Sequence, residues 1–156
     1  LAIQEIKPMT EKEYYVRGCT ALLDAVGGAV HHIGNIHKYA REEDRPSKTL
    51  FVIITDGMEN SSKRYDYAKV KQMIERQQER YGWEFMFLGA NMDAIGEARR
   101  FGIKAHMAAE YLCDEVGTAL NYEAVNEVMC NVRACKAMTS EWKEKIEKDV
   151  AKRRRR

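Results

Sequence analysis

The chain has 156 residues, of which 32% are charged and 45% hydrophobic, and its formal net charge is +2. This length and composition predict one globular unit with a substantial core. No apolar run approaches the length of a membrane span, and the near-neutral charge argues against a basic nucleic-acid module.

The cysteine pattern bears on the compartment. The four cysteines show no spacing typical of paired metal ligands; they are Cys19, Cys113, Cys130 and Cys135. Such a set favours reduced, mostly buried thiols over a disulfide framework. For Cys19, which lies near a predicted helix start, no base is evident nearby, so a structural role is expected. No signal peptide is visible, and the sequence therefore predicts a cytoplasmic protein.

The amino-terminal third predicts one short strand and one long helix. Residues Leu1–Ile6 alternate loosely and indicate the end of an edge strand, which Pro8 stops. Apolar residues then recur at helical spacing and predict a helix over 22–41. Thr20 is suitably placed near the start of this helix, and Asp24 follows in its first turn, where a negative charge favours the helix dipole.

Three histidines on this predicted helix raise the question of a zinc site. His31 and His32 face different directions, and His37 is four residues from neither. Because helical zinc ligands need side chains on one face, this spacing is poor. We expect surface or partly buried histidines instead.

The central feature of the sequence is an unbroken apolar run at Leu50–Ile54. It predicts a strand buried on both faces, as in a parallel sheet. Asp56 follows directly, and the carboxyl ends of such strands are where open α/β sheets bind ligands. The loop over 59–62 adds carboxylate, amide and hydroxyl oxygens, which suit Mg²⁺ or Ca²⁺ better than zinc. The alternative is a polar loop whose residues only cap helices.

Strands and helices alternate after this run. The pattern predicts a helix over 65–80, a strand over Trp83–Leu88, a short helix over 95–101 and a weaker third strand over Ile103–Met107. This alternation favours a parallel sheet with helices on both faces.

The carboxy-terminal part predicts a loop, a helix and a separate tail. Residues 111–118 indicate a loop, and Asn121 is placed to cap a final helix of the main domain. Residues 139–156 predict an amphipathic helix ending in the basic run Arg153–Arg156, which we expect to be solvated. The predicted division is a domain over 1–138 and this helix with its basic tail.

Two motifs together resemble the von Willebrand factor A family. They are GCTALLDA at 18–25 and FVIITDGMEN at 51–60, and FLGAN at 87–91 follows the next strand in the same order. The resemblance covers roughly residues 10–136. It implies an α/β fold of the Rossmann-like three-layer αβα type with a mainly parallel sheet.

The resemblance also implies a metal site. Members of the family carry a metal-ion-dependent adhesion site (MIDAS) at the top of the sheet. It is formed by an Asp-x-Ser-x-Ser segment after the first strand, a Thr in a second loop and an Asp in a third. By resemblance, Thr20 is the second-loop Thr and Asp56 the third-loop Asp. A hydroxyl and a carboxylate suit Mg²⁺. No Asp-x-Ser-x-Ser occurs in this chain. The resemblance therefore implies the carboxy-terminal portion of the domain, with weak Mg²⁺ binding.

The function implied by the resemblance is metal-assisted protein–protein interaction, as an intracellular adaptor and not an enzyme. The partner would present an acidic group to the metal. One alternative is a Mg²⁺-dependent hydrolase or phosphotransferase using Asp56; it would need a second carboxylate, for which Glu59 and Asp93 are the candidates. The other alternative is a structural half-domain that acts only in assembly.

The sheet edge gives a further expectation about partners. In the family arrangement, Leu50–Ile54 has a neighbouring strand on each side, and only one of them, Trp83–Leu88, is evident here unless Leu1–Ile6 supplies the other. A long apolar edge with unpaired backbone groups is rarely left open. The sequence therefore predicts that this edge pairs with a second copy of the chain, or with the family's amino-terminal segment supplied separately.

Overall fold

A computed structural model describes residues 3–8, 10–12 and 18–154 of the chain. Its sheet is parallel, with the strands in the order β1 (Leu50–Thr55), β2 (Glu84–Ala90) and β3 (Ala108–Tyr111). The α-helices of this part are α1 (Leu22–Tyr39), α2 (Tyr67–Tyr81), α3 (Ala94–Arg100), α4 (Glu115–Arg133) and α5 (Glu144–Arg154). Short 3₁₀ turns occupy Ile3–Glu5, Glu42–Asp44, Ala105–Met107 and Glu141–Lys143. This mixed α/β arrangement is compatible with a Rossmann-like αβα fold.

The central strand β2 holds the core. Its residues Phe85, Met86, Phe87 and Leu88 are each at most 1% exposed. Because successive side chains of a strand point to opposite faces, burial of four in a row means that both faces of the sheet are covered. The parallel pairing of β1 with β2, in which Ile53 lies opposite Phe87, confirms the first two predicted strands. The prediction that the first of them is buried on both faces is wrong, because Ile54 is 49% exposed and β1 pairs only with β2 among the described strands.

The third strand lies later in the chain than predicted. Residues Ile103–Met107, predicted as strand, instead form an extended approach and a 3₁₀ turn, and β3 begins at Ala108. Ile103 and Met107 are still buried, at 2% and 3% exposure. Their apolar character therefore reflects burial in the core and not strand pairing. The paired residues have a weaker β propensity, because two of the four are alanine.

A glycine lets helix α1 pack closely against Tyr65, which lies in the segment just before α2. A β carbon on Gly27 would lie 2.6 Å from the ring of Tyr65, so only glycine allows this approach. Helix α2 ends as predicted at Gly82, whose φ of 62° is left-handed, and the turn after α3 uses Gly102 with φ 77°. Glycine adopts this conformation without steric cost.

Helix α4 begins six residues before the predicted cap, and that prediction is wrong. Asp114 is the N-cap, since its side chain accepts a hydrogen bond from the amide of Gly117 at 2.8 Å. Asn121 lies inside the helix and is 3% exposed. Its Oδ1 has no hydrogen-bond partner in the described part of the chain. Aspartate and asparagine can both cap a helix, and here Asp114 does so while Asn121 lies further along the same helix.

The carboxy-terminal segment packs on the same core as the sheet. The indole of Trp142 donates a hydrogen bond to the carbonyl of His106 at 3.0 Å, and Trp142 and Ile146 belong to the core. The ammonium of Lys143, a residue only 7% exposed, donates to the carbonyls of Ala105 and Ala108, each at 3.2 Å. These hydrogen bonds hold the 3₁₀ turn that precedes α5 against the start of β3.

The basic end is less free than predicted. Arg153 forms ion pairs with Asp114 and Asp149, and Arg154 pairs with Glu110. The expectation of a solvated run is therefore wrong for Arg153, which is partly buried between acidic residues of α5 and the α4 cap, whereas Arg154 is exposed as expected although it forms an ion pair. Residues 155 and 156 lie outside the described part of the chain.

Two further predictions need correction. Residues Ile3–Glu5 form a 3₁₀ turn and Ile6 is in neither helix nor strand, so this part of the predicted edge strand is wrong, while residues 1 and 2 lie outside the described part. The cysteines, expected to be mostly buried, are all free and exposed. Within the described residues, no helix combines the length and apolar character needed to cross a membrane.

Candidate functional site

The candidate site lies at the carboxyl ends of the strands. Asp56 follows β1, Asn91 follows β2, and the amide of Asn91 donates a hydrogen bond to the carbonyl of Tyr111, the last residue of β3, at 3.0 Å. Thr20 reaches the same edge from the segment before α1. Its amide donates to Asn60 Oδ1 at 2.9 Å, and its carbonyl accepts from the Asn60 amide at 3.0 Å.

A tight turn places Thr20 beside Asp56. The hydroxyl of Thr55 donates to the carbonyl of Gly57 at 2.8 Å and thereby folds the chain immediately after β1. A β carbon on Gly57 would lie only 2.7 Å from Thr20 Oγ1. The structure therefore brings the two predicted site residues to adjacent turns of one edge, and the glycine leaves room for the threonine hydroxyl.

The loop after this turn caps α1. The carboxylate of Glu59 accepts four hydrogen bonds: Oε2 from the Leu23 amide at 2.8 Å and the Ser62 hydroxyl at 2.7 Å, and Oε1 from the amides of Ser61 at 2.9 Å and Ser62 at 2.7 Å. Ser62 Oγ also accepts from the amide of Asp24 at 2.9 Å. Residue Ala21, at the N-cap position, provides no side-chain bond. The helix amides are therefore satisfied from a distant loop.

Asp24 makes the reciprocal contact. Its carboxylate accepts hydrogen bonds from the amides of Lys63 at 3.0 Å, Arg64 at 2.9 Å and Tyr65 at 3.0 Å. A carboxylate of α1 thus holds the loop, while a carboxylate of the loop holds α1. We call these two interlocked carboxylates, Asp24 and Glu59, the double clasp.

Both carboxylates of the double clasp are held in the charged form. The hydrogen bond from the Lys63 amide is the main cause that lowers the pKa of Asp24, and the Arg64 and Tyr65 amides add to it against the effect of desolvation. For Glu59, desolvation is the largest single influence and raises the pKa. The hydrogen bonds from Leu23, Ser62 and Ser61 together outweigh it, so its pKa is lowered.

These contacts decide which polar groups remain for a ligand. Glu59, Asn60 and Ser62 hold the loop, so the interpretation of residues 59–62 as helix-capping residues is supported over that of metal ligands. The carboxylate of the exposed Asp56 has no hydrogen bond or ion pair with another described residue, and neither does the Thr20 hydroxyl. A hydroxyl and a carboxylate are hard oxygen donors that fit Mg²⁺, with its other positions left to water.

The other metal and catalytic candidates are not brought to this site. Among the described residues, no group of three or more His, Cys, Asp or Glu is arranged to hold a metal ion. Asp93, a candidate second carboxylate for an enzyme, caps α3 by accepting from the Gly96 amide at 2.9 Å. Of the helix histidines, His31 and His32 are exposed, while His37 packs edge-on against Trp83 with ring centroids 5.2 Å apart.

Two tyrosines near this region were not anticipated. Tyr111 is the last residue of β3 and lies at the same edge of the sheet as Asn91, whose amide donates to its carbonyl. Burial is the main cause that raises the pKa of Tyr111, and the charge of Asp56 is among the further causes. Tyr67 donates a hydrogen bond to Glu97, a carboxylate only 7% exposed that also pairs with Arg100 at 3.0 Å. Burial first, and then this bond, raise the pKa of Tyr67 to about 12.

The chain can also be compared with protein-family models, curated proteins and solved structures. No family model matches the chain, and neither a curated protein nor a solved structure is found to be similar to it.

Proposed function

We propose that this chain is a von Willebrand A-like interaction module. In the proposal, Thr20 and Asp56 hold a Mg²⁺ ion that accepts an acidic group from a protein partner, and the protein acts as a cytoplasmic adaptor and not as an enzyme. The observation that carries the proposal is a contrast within one loop cluster. The carboxylates of the double clasp, Asp24 and Glu59, accept hydrogen bonds from other residues. The Thr20 hydroxyl and the Asp56 carboxylate lack partners in the described part.

The donor set also predicts how the site would bind. Mg²⁺ prefers six oxygen ligands and retains waters readily. Two protein donors leave most of these positions for water and for a carboxylate of the partner, so the ion alone should bind weakly and the partner should strengthen its binding. By linkage, the ion should strengthen partner binding by the same factor.

The test is capture of protein partners from a lysate of the cells that naturally produce the protein. The capture is done once with Mg²⁺ and once with a chelator. The proposal expects a partner that is retained in Mg²⁺, lost with chelator and lost with Asp56→Ala. The matched control is Glu79→Gln, which removes an exposed carboxylate of α2 that has no ion pair among described residues. A partner set that is identical with and without Mg²⁺, and unaffected by Asp56→Ala, would refute the proposal.

A second proposal concerns assembly through β1. This strand pairs only with β2 among the described strands, and Ile54 on it is 49% exposed. Because the strand LFVIIT carries no charge, a two-fold copy could pair with it without like-charge repulsion. We propose that two copies join through β1 into one continuous sheet.

Sedimentation velocity tests this assembly. A lysine on an edge strand opposes pairing, so Ile54→Lys should convert a dimer into a monomer. Ile36→Lys is the matched control, because Ile36 is similarly exposed, at 53%, but lies on α1. If the unmodified protein sediments as a monomer at high concentration, or if both variants dissociate equally, β1 is not the interface.

A further inference from the structure

A groove of about 700 Å³ lies between α1 and α2, away from the candidate metal site. Thr49 and Trp83, which directly precede β1 and β2, line one end of it. The groove is therefore near the amino ends of these strands, whereas Asp56 follows the carboxyl end of β1. Its volume is within the range of small-molecule sites.

The walls of this groove are strongly cationic. Five lysines and arginines line it, and no aspartate or glutamate does; the five are Lys38, Arg45, Lys48, Lys69 and Arg76. The formal net charge of the whole chain is only +2, so this is a local concentration of charge. Within the described residues none of the five forms an ion pair, whereas Lys71, also on α2, pairs with Glu75. Uncompensated like charges in a concave surface attract an anion.

Two of these cations are held in position. The guanidinium of Arg45 donates hydrogen bonds to the carbonyls of Ala40 at 3.1 Å and Lys38 at 3.4 Å, which leaves three of its five N–H groups for another acceptor. The ammonium of Lys69 lies 4.7 Å from the centroid of the Tyr65 ring. Side chains that are already ordered lose less entropy when they bind a ligand.

The rest of the lining suits a flat ring with polar edges. Met73 and Tyr81 provide apolar and aromatic surface, and the side-chain amides of Asn35 and Gln77 provide both donors and acceptors. The phosphates of a nucleotide would contact the lysines and arginines of the groove, and its heterocyclic base would contact the aromatic, apolar and amide side chains. We propose that the groove binds a nucleoside triphosphate.

The test is calorimetric titration of ATP into the full chain in the presence of a chelator. The chelator removes Mg²⁺, so the Thr20–Asp56 site does not contribute to the measured ATP binding. Failure of the nucleotide proposal can therefore be distinguished from failure of the metal-site proposal. We expect saturable one-to-one binding that weakens as salt increases. Because both phosphate and base contribute, adenosine and inorganic tripolyphosphate should each bind at least about tenfold more weakly than ATP.

A pair of double variants on one helix provides the control. Lys69→Gln with Arg76→Gln removes two groove charges, and Lys71→Gln with Arg80→Gln removes the same charge from residues of α2 that do not line the groove. The first variant should weaken ATP binding by about tenfold or more and the second by less than about twofold. Circular dichroism verifies that both are folded.

Three results would overturn the proposal: no saturable ATP binding, an equal effect of the two double variants, or tripolyphosphate binding as tightly as ATP. A single-stranded oligonucleotide that binds far more tightly than ATP would also overturn it, in favour of a nucleic-acid surface.

Discussion

The double clasp predicts a stability effect that can be worked out from its contacts. Glu59→Gln keeps the shape of the side chain but turns one acceptor oxygen into an NH₂ group, which cannot accept hydrogen bonds. Two of the four donors that Glu59 receives then lose their acceptor. A hydrogen bond to a charged group contributes about 1.5–3 kcal/mol, and partial exposure favours the lower figure, so we expect a loss of about 2–3 kcal/mol.

Thermal unfolding at neutral pH measures this loss. For a domain of about 150 residues, 1 kcal/mol corresponds to about 2–4 °C, so Glu59→Gln should lower Tm by about 4–12 °C. Glu79→Gln is the control, since Glu79 is exposed and no clasp contact involves it. A change within about 1 °C for Glu59→Gln would refute the claim that this loop satisfies the amides of α1.

Four other measurements follow from the structure. Because the pKa values of Asp24 and Glu59 are lowered in the folded state, their stabilisation is full above the ordinary values of 3.8 and 4.5. It is lost as pH falls below those values and through the lower folded-state pKa values, so Asp24→Asn with Glu59→Gln should flatten this acid decline in urea unfolding. Gly27→Ala should destabilise by about 1–3 kcal/mol, because its β carbon would lie 2.6 Å from a tyrosine ring. Gly28→Ala, where nothing lies within 4 Å of the added carbon, should stabilise by about 0.5–1 kcal/mol in the same assay. Spectrophotometric titration of the folded protein should find Tyr67 ionising near pH 12, above the ordinary value of 10. Equal stability of the two alanine variants, an unchanged acid decline, or all tyrosines titrating near pH 10 would contradict the respective predictions.

The strands that could be predicted from the sequence are those with continuous apolar runs. β1 and β2 carry such runs because both belong to a parallel sheet, and β2 is buried on both faces. β3 could not be located, because its four residues include two alanines and one glutamate, while the stronger apolar signal at Ile103 and Met107 comes from core packing. Periodicity reports burial and does not distinguish a strand from a buried turn.

The two candidate metal ligands remain a prediction, whereas the hydrogen bonds of the loop beside them are known only from the structure. Thr20 and Asp56 were identified from a family resemblance, and the structure brings their turns together. Helix capping by residues 59–62 was one of two alternatives from the sequence. The particular bond of Glu59 to the Leu23 amide could not be predicted, because it joins residues 36 positions apart and leaves no local pattern. Tyr111 was missed for a related reason, since its place near Asp56 depends on where β3 ends.

The exposure of the cysteines also could not be predicted from the sequence. Cys130 lies on α4, yet the buried face of that helix is formed by Gly117, Asn121, Ala124, Val128 and Val132. Cysteine is usually buried, so composition favoured the opposite expectation. Cys130 does not belong to this buried face, so it is exposed.

The most direct measurement of the proposed metal site is paramagnetic broadening by Mn²⁺, which takes the same oxygen ligands as Mg²⁺. In amide NMR spectra, signals of Asp56, Gly57 and residues 19–21 should broaden first at low Mn²⁺, and excess Mg²⁺ should restore them. Asp56→Ala should abolish this selective effect, and Glu79→Gln should retain it. Broadening centred on another part of the molecule, or unchanged by Asp56→Ala, would contradict a metal-binding role for this edge of the sheet.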